Sequence, residues 1–443
     1  MEQDVRVKQL IEEGRKVLQR LQEAGHEAVF VGGFVRDTVL KRPVKDIDIA
    51  TSALPEQVIA LFERTVPTGL QHGTVTVLMN GHSYEVTTYR KETAYTAFRR
   101  PETVEYISDL REDLQRRDFT MNAMAMDSTG AVIDPFGGLT HLREGRLACV
   151  GNPAERFGED ALRILRCARF AADYGLKVDP PTWEALLLQR PLLKHIAMER
   201  VRVEMEKLLE GRGPDYGLRL LADSRLLAYV KEPALPLDSS ILAGSPPLDQ
   251  AVKEIPSAAG RWAYWLIRAG LHTSEVPDVL RRWTFSAAAA SRIVRVMRLH
   301  ELLRETTGKQ ASSSGGEDTA FEAISTAFSL FAEPEQERIH FVQAVISCSP
   351  EAVKTWLEFP EALRSEAGPS VLAHSAEWLK AMPVWEIRQL AIDGNQLMNR
   401  LNRSAGPWLK QVLEKLLVET ALGIVPNETA ALLDRVQTKY EMT

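Results

Sequence analysis

The sequence has no long apolar run, few cysteines and no excess of positive charge. Its 443 residues include only 3 cysteines, Cys149, Cys167 and Cys348, which lie far apart and in no metal-ligand pattern. So sparse and odd a set indicates a reducing compartment. No apolar stretch reaches the ~20 residues that a transmembrane helix needs, which excludes a membrane span of that kind. The net charge of -6 excludes a protein that is basic overall, so any surface for nucleic acid must be a local patch.

The N-terminus also lacks the features of a targeting peptide. Residues 1–25 are charged throughout, unlike a signal or transit peptide, so a cytoplasmic location is the expectation. Apolar residues recur there at helical spacing, at Val7, Leu10, Ile11, Leu18 and Leu21. This pattern predicts an amphipathic helix that ends near Gly25. No repeat of fixed period is evident, and the length allows two to four domains.

The chain is organised around a strand, a two-glycine turn and the start of a helix. Residues 28–31 form a short apolar run that reads as a buried strand, and Gly32-Gly33 follows it. Two glycines allow a sharp turn and bring backbone N–H groups close to a ligand. Residues 34–40 are apolar at helical spacing, and helix N-terminal amides favour anions. The stretch therefore predicts a phosphate cradle, with the guanidinium of Arg36 one turn into the helix to meet a triphosphate.

Two carboxylates follow the cradle. Residues 46–50 read as a second strand, in which Asp46 and Asp48 project from one face because they are two apart. Adjacent carboxylates are costly unless a cation holds them. Mg²⁺ takes carboxylate oxygens together with substrate phosphates, so the pair is a candidate magnesium site.

The order and spacing of these parts resemble a known family. Gly-Gly-x-Val-Arg-Asp, followed about ten residues later by Asp-x-Asp, resembles the head of the DNA polymerase β-like nucleotidyltransferases. Within them it is similar to the class of bacterial tRNA nucleotidyltransferases and poly(A) polymerases. The resemblance implies an α+β protein, with a polymerase β-like α/β head followed by an all-helical neck, body and tail.

The implied reaction is addition of C, C and A to the 3′ end of tRNA, from CTP and ATP and without a nucleic-acid template. The primer 3′-hydroxyl would attack the α-phosphate in line, with Asp46 and Asp48 holding two Mg²⁺ ions. Gly33, Arg36 and Arg117 would position the triphosphate. The expected partners are tRNA and the two nucleotides, with no membrane and no obligate protein partner.

A third carboxylate, Glu85, lies on a later strand. Residues 73–79 and 83–89 read as strands around Asn80-Gly81, a strong hairpin signal. Glu85 resembles the third carboxylate of the superfamily, and the alternative is a cross-strand partner for a lysine or arginine. Residues 90–105 are polar and irregular, which is typical either of a mobile functional loop or of a solvated surface loop.

A second family motif lies at Arg116-Arg117-Asp118, followed by Asn122. It resembles Arg-Arg-Asp-x-x-x-Asn. If residues 110–125 are helical, Asp118 and Asn122 share a face because they are four apart. Both side chains can accept hydrogen bonds from ribose hydroxyls, and Arg117 would neutralise triphosphate charge.

A third motif lies on a predicted helix over residues 156–169. Asp160 and Arg163 are three apart and are expected to be neighbours on one face. The plain alternative is a surface ion pair of little energetic consequence. With Glu159 they resemble the family's Glu-Asp-x-x-Arg, which acts as a protein template for the incoming base. Arg166 and Arg169 could line a route to phosphates or to the primer end.

The template chemistry follows from hydrogen-bond complementarity. Cytosine and adenine each present an exocyclic amine beside an unprotonated ring nitrogen, which suit the carboxylate of Asp160 and the guanidinium of Arg163. Uracil and guanine present a carbonyl oxygen and a ring N–H there instead. Those bases would leave buried polar groups unpaired, which discriminates more strongly than a difference in size.

The rest of the chain reads as helical from Leu176 onward, with Trp262, Trp265 and Trp283 expected mostly in a core. Residues 233–247 and 309–318 read as loops or linkers. The domain prediction is a head over 1–150, a neck over 151–210, a body over 211–318 and a tRNA-binding tail over 319–443.

Three alternatives to full CCA addition remain open. A split-function enzyme would add only CC or only A, and residues 97–101, Ala-Phe-Arg-Arg-Pro, depart from the common Asp-Gly-Arg-Arg-Pro form of the loop. A poly(A) polymerase would share the head but is expected to have a more basic C-terminal part. An inactive RNA-binding module would not need Asp46, Asp48 and Arg163 intact.

Overall fold

The computed structural model describes residues 2–44, 46–96, 100–232, 251–305 and 333–440. Contacts divide the chain into two compact units, which we call the N-terminal unit (residues 1–239) and the C-terminal unit (residues 240–443). The finer division into head, neck, body and tail stays a prediction. Residues 97–99 of the predicted loop and the two predicted linkers, 233–247 and 309–318, lie wholly outside the described residues.

A seven-stranded mixed sheet forms the base of the N-terminal unit, with the order β3-β4-β5-β2-β1-β8-β9. The strands of the unit are β1 (Ala28–Val31), β2 (Asp48–Thr51), β3 (Thr65–Gly69), β4 (Thr74–Met79), β5 (His82–Thr88), β6 (Arg90–Thr96), β7 (Arg100–Tyr106), β8 (Ala125–Met126), β9 (Val132–Ile133), β10 (Arg146–Leu147) and β11 (Lys177–Val178). β6 pairs with β7, and β10 with β11, in two separate ribbons.

Helices cover the sheet and continue beyond it. They are α1 (Glu2–Glu23), α2 (Gly33–Val39), α3 (Pro55–Leu61), α4 (Leu110–Gln115), α5 (Gly138–Arg143), α6 (Pro153–Glu159), α7 (Leu162–Tyr174), α8 (Pro180–Gln189), α9 (Met198–Glu210) and α10 (Pro214–Ser224). α1, β1, α2 and the hairpin of β4 and β5 confirm the sequence-based predictions.

The register of the central strands brings two carboxylates together. β2 runs antiparallel to β1, with Val31 opposite Asp48, and parallel to β5, with Asp48 opposite Glu85. Successive side chains alternate between the faces of a sheet, so Ile49 and Val86 point into the buried core. Asp48 and Glu85 therefore share the opposite face.

Three strand predictions need correction. β2 begins at Asp48, so Asp46 precedes the strand, is exposed and does not belong to the predicted run 46–50. The irregular loop after β5 is largely an antiparallel ribbon, in which Arg90 pairs with Tyr106 and Thr96 with Arg100. Its polar sequence lacks the apolar alternation on which strand prediction depends. The edge strand β3 was missed for the same reason, because its residues are mostly exposed.

The described part of the C-terminal unit is helical, as predicted. Its helices are α11 (Ala251–Glu254), α12 (Ala258–Arg268), α13 (Val276–Arg282), α14 (Ala287–Glu305), α15 (Glu333–Cys348), α16 (Pro350–Leu357), α17 (Glu361–Arg364), α18 (Pro369–Ala381), α19 (Gly394–Leu401), α20 (Pro407–Ala421) and α21 (Thr429–Tyr440). Short 3-10 turns connect several of them.

Tryptophan packing organises the core of the C-terminal unit. Trp262 meets Trp265 and Trp283 edge to face, with ring centroids 5.2 and 5.8 Å apart. All three rings are buried, as the sequence predicted. Among the residues that the structure describes, no helix is both long and apolar enough to cross a membrane.

Candidate active site

A cavity of about 480 Å³ in the N-terminal unit collects most of the predicted site residues. Its lining residues are Gly32, Gly33, Arg36, Asp48, Arg116, Arg117, Asp118, Asn122, Asp160, Leu162, Arg163, Arg166, Phe170 and Arg200. An adjoining cavity of about 550 Å³ shares Gly33, Arg36 and Asp48 with the first and adds Asp46. Glu85, Glu159 and Arg169 are not among the residues that line either cavity.

The two-glycine turn lets charged side chains approach the backbone. Gly32 has φ 68°, which side chains with a Cβ rarely adopt. A Cβ atom at Gly32 would lie 3.3 Å from both Arg117 Nη1 and Asp48 Oδ2. The glycine therefore leaves room for the guanidinium of Arg117 and the carboxylate of Asp48 beside the start of α2.

The carboxylate group is electrostatically frustrated. Burial raises the pKa of Asp48, and the nearby charges of Glu85 and Asp46 raise it further, against the opposing effects of Arg117 and Arg36. Such like-charge repulsion is relieved by a divalent cation. The carboxylate oxygens of Asp46, Asp48 and Glu85 are, by chemical type, donors that suit a divalent cation. Within the described residues, no group of three or more His, Cys, Asp or Glu side chains is arranged to hold a metal ion by itself.

Arg36 is fixed between two partners at the start of the cavity. Its Nη1 donates to Asn122 Oδ1 at 2.6 Å, and its Nε and Nη2 donate to both oxygens of Asp37. The guanidinium also lies over the ring of Tyr174, 4.4 Å from the centroid. The side chain is thus oriented before any ligand arrives.

Asp113, which sequence reasoning missed, holds two of the cavity arginines. It is only 1% exposed and accepts from Arg116 Nε at 3.0 Å and Arg117 Nη2 at 3.4 Å. It also accepts from the backbone N–H of Arg90, the first residue of the β6–β7 ribbon, at 3.2 Å. Burial opposes ionisation, but Arg116 and Arg117 leave the pKa of Asp113 below its usual value. One carboxylate therefore joins the root of the ribbon to the cavity.

The Arg-Arg-Asp-x-x-x-Asn segment is not one helix. α4 ends at Gln115, and a 3-10 turn over residues 120–122 follows an extended Phe119. Asp118 and Asn122 still meet, because Asn122 Nδ2 donates to Asp118 Oδ1 at 2.9 Å. The contact arises from the turn and not from the helical spacing that predicted it.

Asp118 is a buried carboxylate that pairs with an arginine. Arg166 donates to its Oδ2 from Nε at 2.9 Å and from Nη2 at 2.6 Å. Burial raises the pKa of Asp118, but Arg166 and Asn122 outweigh it and lower the value to about 2. The ion pair fixes Arg166 at the cavity wall.

The helix predicted over residues 156–169 breaks at Asp160. α6 ends at Glu159, Asp160 is extended with φ −135°, and α7 begins at Leu162. The Asp160 carboxylate accepts the backbone N–H of Leu162 at 3.1 Å, as side chains at helix starts do. The prediction that Asp160 and Arg163 share one helix face is wrong, although both line the cavity.

Separate partners position Asp160 and Arg163. Arg200 on α9 donates from Nη2 to Asp160 Oδ2 at 3.1 Å. Arg163 donates to Glu159 Oε2 at 2.5 Å and to the backbone oxygen of Arg116 at 2.8 Å. Glu159 thus orients Arg163, and Arg200, about 40 positions later in the sequence, orients Asp160.

The remaining predicted arginine, Arg169, points to the interior. It donates to Glu204 at 2.7 Å and lies over the ring of Phe170, 4.0 Å from the centroid. Phe170 on α7 and Arg200 on α9 also line the cavity, and the sequence analysis did not predict either. For Arg200 the reason is that helical periodicity marks α9 as amphipathic without showing what its polar face contacts.

Three family models match the chain in order. They are the Poly A polymerase head domain over residues 28–148, "Probable RNA and SrmB- binding site of polymerase A" over 175–236, and tRNA nucleotidyltransferase domain 2 over 317–436. Together with the carboxylate-bearing sheet and the arginine-lined cavity, they define a nucleotidyltransferase of the tRNA nucleotidyltransferase and poly(A) polymerase class.

Full-length relatives narrow the class. A CCA-adding enzyme of Bacillus cereus (strain B4264) is 36% identical over 422 residues, covering 95% of this chain and 96% of the relative. One of Anoxybacillus flavithermus (strain DSM 21510 / WK1) is 38% identical over 400 residues, 90% of each chain. The crystal structure of a Bacillus stearothermophilus CCA-adding enzyme in complex with CTP matches with a TM-score of 0.74 and 32% identity, covering 98% of this chain and 99% of that one. The chain belongs to the family of CCA-adding enzymes.

Proposed function

We propose that the chain adds C, C and A in turn to the 3′ end of tRNA, using CTP and ATP and releasing pyrophosphate. The observation that carries the proposal is one cavity in which Asp48, Arg117 and the separated pair Asp160 and Arg163 face the same space. Such a cavity offers a carboxylate for the metal, cations for a triphosphate and a donor–acceptor pair for a base. Family membership favours this activity over poly(A) synthesis and over a module without activity.

The triphosphate lies against the glycine turn in this proposal. Arg36 and Arg117 neutralise its charge, and Gly32 and Gly33 allow it to approach the backbone. Arg117 is half-buried, and desolvation lowers its pKa while Asp113 and Asp48 favour its charged form. A charge held in a buried site interacts more strongly with phosphate than one in water.

Asp46 and Asp48 are the proposed magnesium ligands, with Glu85 on the same face of the sheet as Asp48. When bound, Mg²⁺ supplies activation of the attacking hydroxyl and stabilisation of the leaving pyrophosphate. Asp48 contributes a fixed position for this chemistry, because β1 and β5 pair with β2 on both sides.

Base selection rests on Asp160 and Arg163. The Asp160 carboxylate accepts from the exocyclic amine, and Arg163 donates to the ring nitrogen. Arg200 orients Asp160, and Glu159 orients Arg163. Asp118 and Asn122, which meet each other beside the cavity, are the proposed contacts of the ribose hydroxyls.

Two broader expectations accompany the proposal. The C-terminal unit, which holds residues 240–318 of the predicted body and the whole predicted tail, is the part proposed to bind tRNA beyond its 3′ end. The location is expected to be cytoplasmic, where the proposed tRNA substrate is processed.

Nucleotide omission tests the function directly. The protein is incubated with Mg²⁺ and tRNA that lacks CCA, with CTP alone, ATP alone or both, and the products are sequenced. We expect two C residues with CTP alone, no extension with ATP alone, and CCA with both. An enzyme that adds only A would extend tRNA ending in CC but not use CTP, and a poly(A) polymerase would add A residues to unrelated RNA.

A further inference from the structure

One segment of the C-terminal unit departs from the acidic character of the chain. From Val279 to His300 the sequence has five arginines and no acidic residue, although the whole chain has a net charge of -6. Arg281 and Arg282 lie on α13 and both pair with Asp278. The other three, Arg292, Arg295 and Arg298, recur every third residue along α14.

These three arginines form one exposed stripe. Residues three apart on a helix are surface neighbours, and Arg292 and Arg298 are separated by roughly 9 Å along the axis. All three are exposed, whereas Ile293, Val296 and Met297 of the same helix are buried. The residues before the stripe on the exposed side are small, Ala287, Ala288 and Ser291. Within α14 itself, these small side chains do not obstruct the approach of an extended backbone to the guanidinium groups.

Two other arginines of this unit, Arg304 and Arg435, have carboxylate partners. Arg304 donates to Glu366 at 2.9 Å and Arg435 to Glu419 at 2.8 Å. No carboxylate within the described residues pairs with Arg292 or Arg295 at ion-pair distance. Unneutralised guanidinium groups on an acidic protein favour a polyanionic partner.

The end of the stripe at Arg298 lies near the last residue of α15, Cys348. Burial raises the pKa of Cys348, the last residue of α15, to about 11, and the cations of Arg298 and Arg295 oppose that rise. The stripe therefore passes close to the C-terminal end of α15, where cations interact favourably with the helix dipole.

We propose that Arg292 and Arg295 on α14 bind the sugar-phosphate backbone of the tRNA substrate. The inference rests on the proposed function, since it assigns part of the RNA surface of that same enzyme. Contacts of this kind fix register and orientation without reading sequence, which suits an enzyme that must accept every tRNA. They should affect RNA affinity and not the chemistry in the nucleotide cavity.

The test compares Arg292→Gln/Arg295→Gln with a matched control, Arg281→Gln/Arg282→Gln. Both double variants remove two positive charges from the C-terminal unit, but the control arginines are paired with Asp278. Binding of tRNA lacking CCA is measured across a salt series, together with kcat, the KM for CTP and the KM for tRNA. Thermal unfolding checks that both variants fold.

The stripe variant is expected to bind tRNA more weakly, with a salt slope reduced by about 2. The loss of tRNA affinity relative to the parent should then be about sixteenfold larger at 50 mM salt than at 200 mM salt. The KM for tRNA should rise while kcat and the KM for CTP stay at the parent values. The control should match the parent.

Two outcomes would overturn the assignment. One is parental tRNA affinity and salt slope in the stripe variant, and the other is an equal loss in the control, which would indicate bulk charge alone. A parent protein that binds tRNA but adds no nucleotide would contradict the proposed function instead, and the binding comparison would still decide the role of the stripe.

Discussion

The two units differ in the kind of large side chain that they bury. In the N-terminal unit, Arg36, Asp118 and Arg163 are each 7–8% exposed. In the C-terminal unit, comparable depth is occupied by Trp283 and Trp356, at 1% and 0%. Buried ions are costly unless they are paired, so the first arrangement adds little stability by itself. Such buried charges are useful where a charged ligand binds, because their side chains are already oriented.

The difference also explains how each unit gains its order. The cavity residues of the N-terminal unit are held by hydrogen bonds between elements distant in sequence, such as Arg166 with Asp118. The C-terminal unit is held by ring packing, with Trp262 in contact with Trp265, Trp283 and Phe285. Substitutions in the first unit should therefore change catalysis more than folding, and substitutions in the second should do the reverse.

The largest effect is expected at the frustrated carboxylate. Asp48→Ala should lower nucleotide incorporation on the order of a thousandfold or more, because a proposed metal ligand is lost. The thermal midpoint should stay the same or rise, since burial and like charges disfavour the ionised Asp48. Primer extension and thermal unfolding provide the two readouts. Near-normal turnover, or clear destabilisation, would contradict the assignment.

Base selection should be the next most sensitive property. Arg163→Ala should reduce discrimination against UTP and GTP by roughly a hundredfold, because the donor to the ring nitrogen is removed. Arg156→Ala is the matched control, since Arg156 also pairs with Glu159 at 2.5 Å but does not line the cavity. Competition assays with all four nucleotides measure the effect. Equal behaviour of the two variants would remove Arg163 from the base site.

The β6–β7 ribbon should affect only the last addition. In the proposed function, Asp160 and Arg163 accept a pyrimidine twice and then a purine, which requires the pair to move between the two. Deleting residues 92–98 leaves Arg90, whose N–H contacts Asp113, and should preserve CC addition while suppressing the terminal A. A primer-extension ladder with CTP and ATP shows both steps in one lane. Full CCA at the parent rate would make the ribbon a passive feature.

The smallest expected effect is a loss of stability in acid, which should begin at a higher pH in the C-terminal unit than in the N-terminal unit. Burial, followed by Arg304, lowers the pKa of His300 to about 4, so the native state stays neutral where the unfolded chain is protonated. Its stabilisation is present above the unfolded pKa near 6.5 and is lost as pH falls toward 4, by up to about 3 kcal/mol. The equivalent loss at Asp118, whose pKa is about 2, begins only below about pH 4.

Tryptophan fluorescence follows this separation, because all but Trp183 of the 8 tryptophans belong to the C-terminal unit. Denaturant midpoints should fall between pH 6.5 and 4 in the parent and fall less in His300→Gln, which retains an acceptor for Trp356 Nε1. Identical pH profiles in the two proteins would exclude His300 as the cause.

The sequence by itself determined the elements whose signals are local. β1, the glycine turn, α2 and the β4–β5 hairpin follow from apolar patterning and turn residues within a few positions of one another. The family motifs identified the candidate carboxylates and arginines in the same way, because each motif is a short run of chain.

Only the tertiary structure decided how those residues are held. The break at Asp160 depends on an N–H two residues ahead and on Arg200, 40 positions away. Asp113 joins the ribbon to Arg117 through contacts that no periodicity encodes. Helical and strand spacing describe neighbours within about four residues, whereas a buried charge takes the partner that packing brings to it.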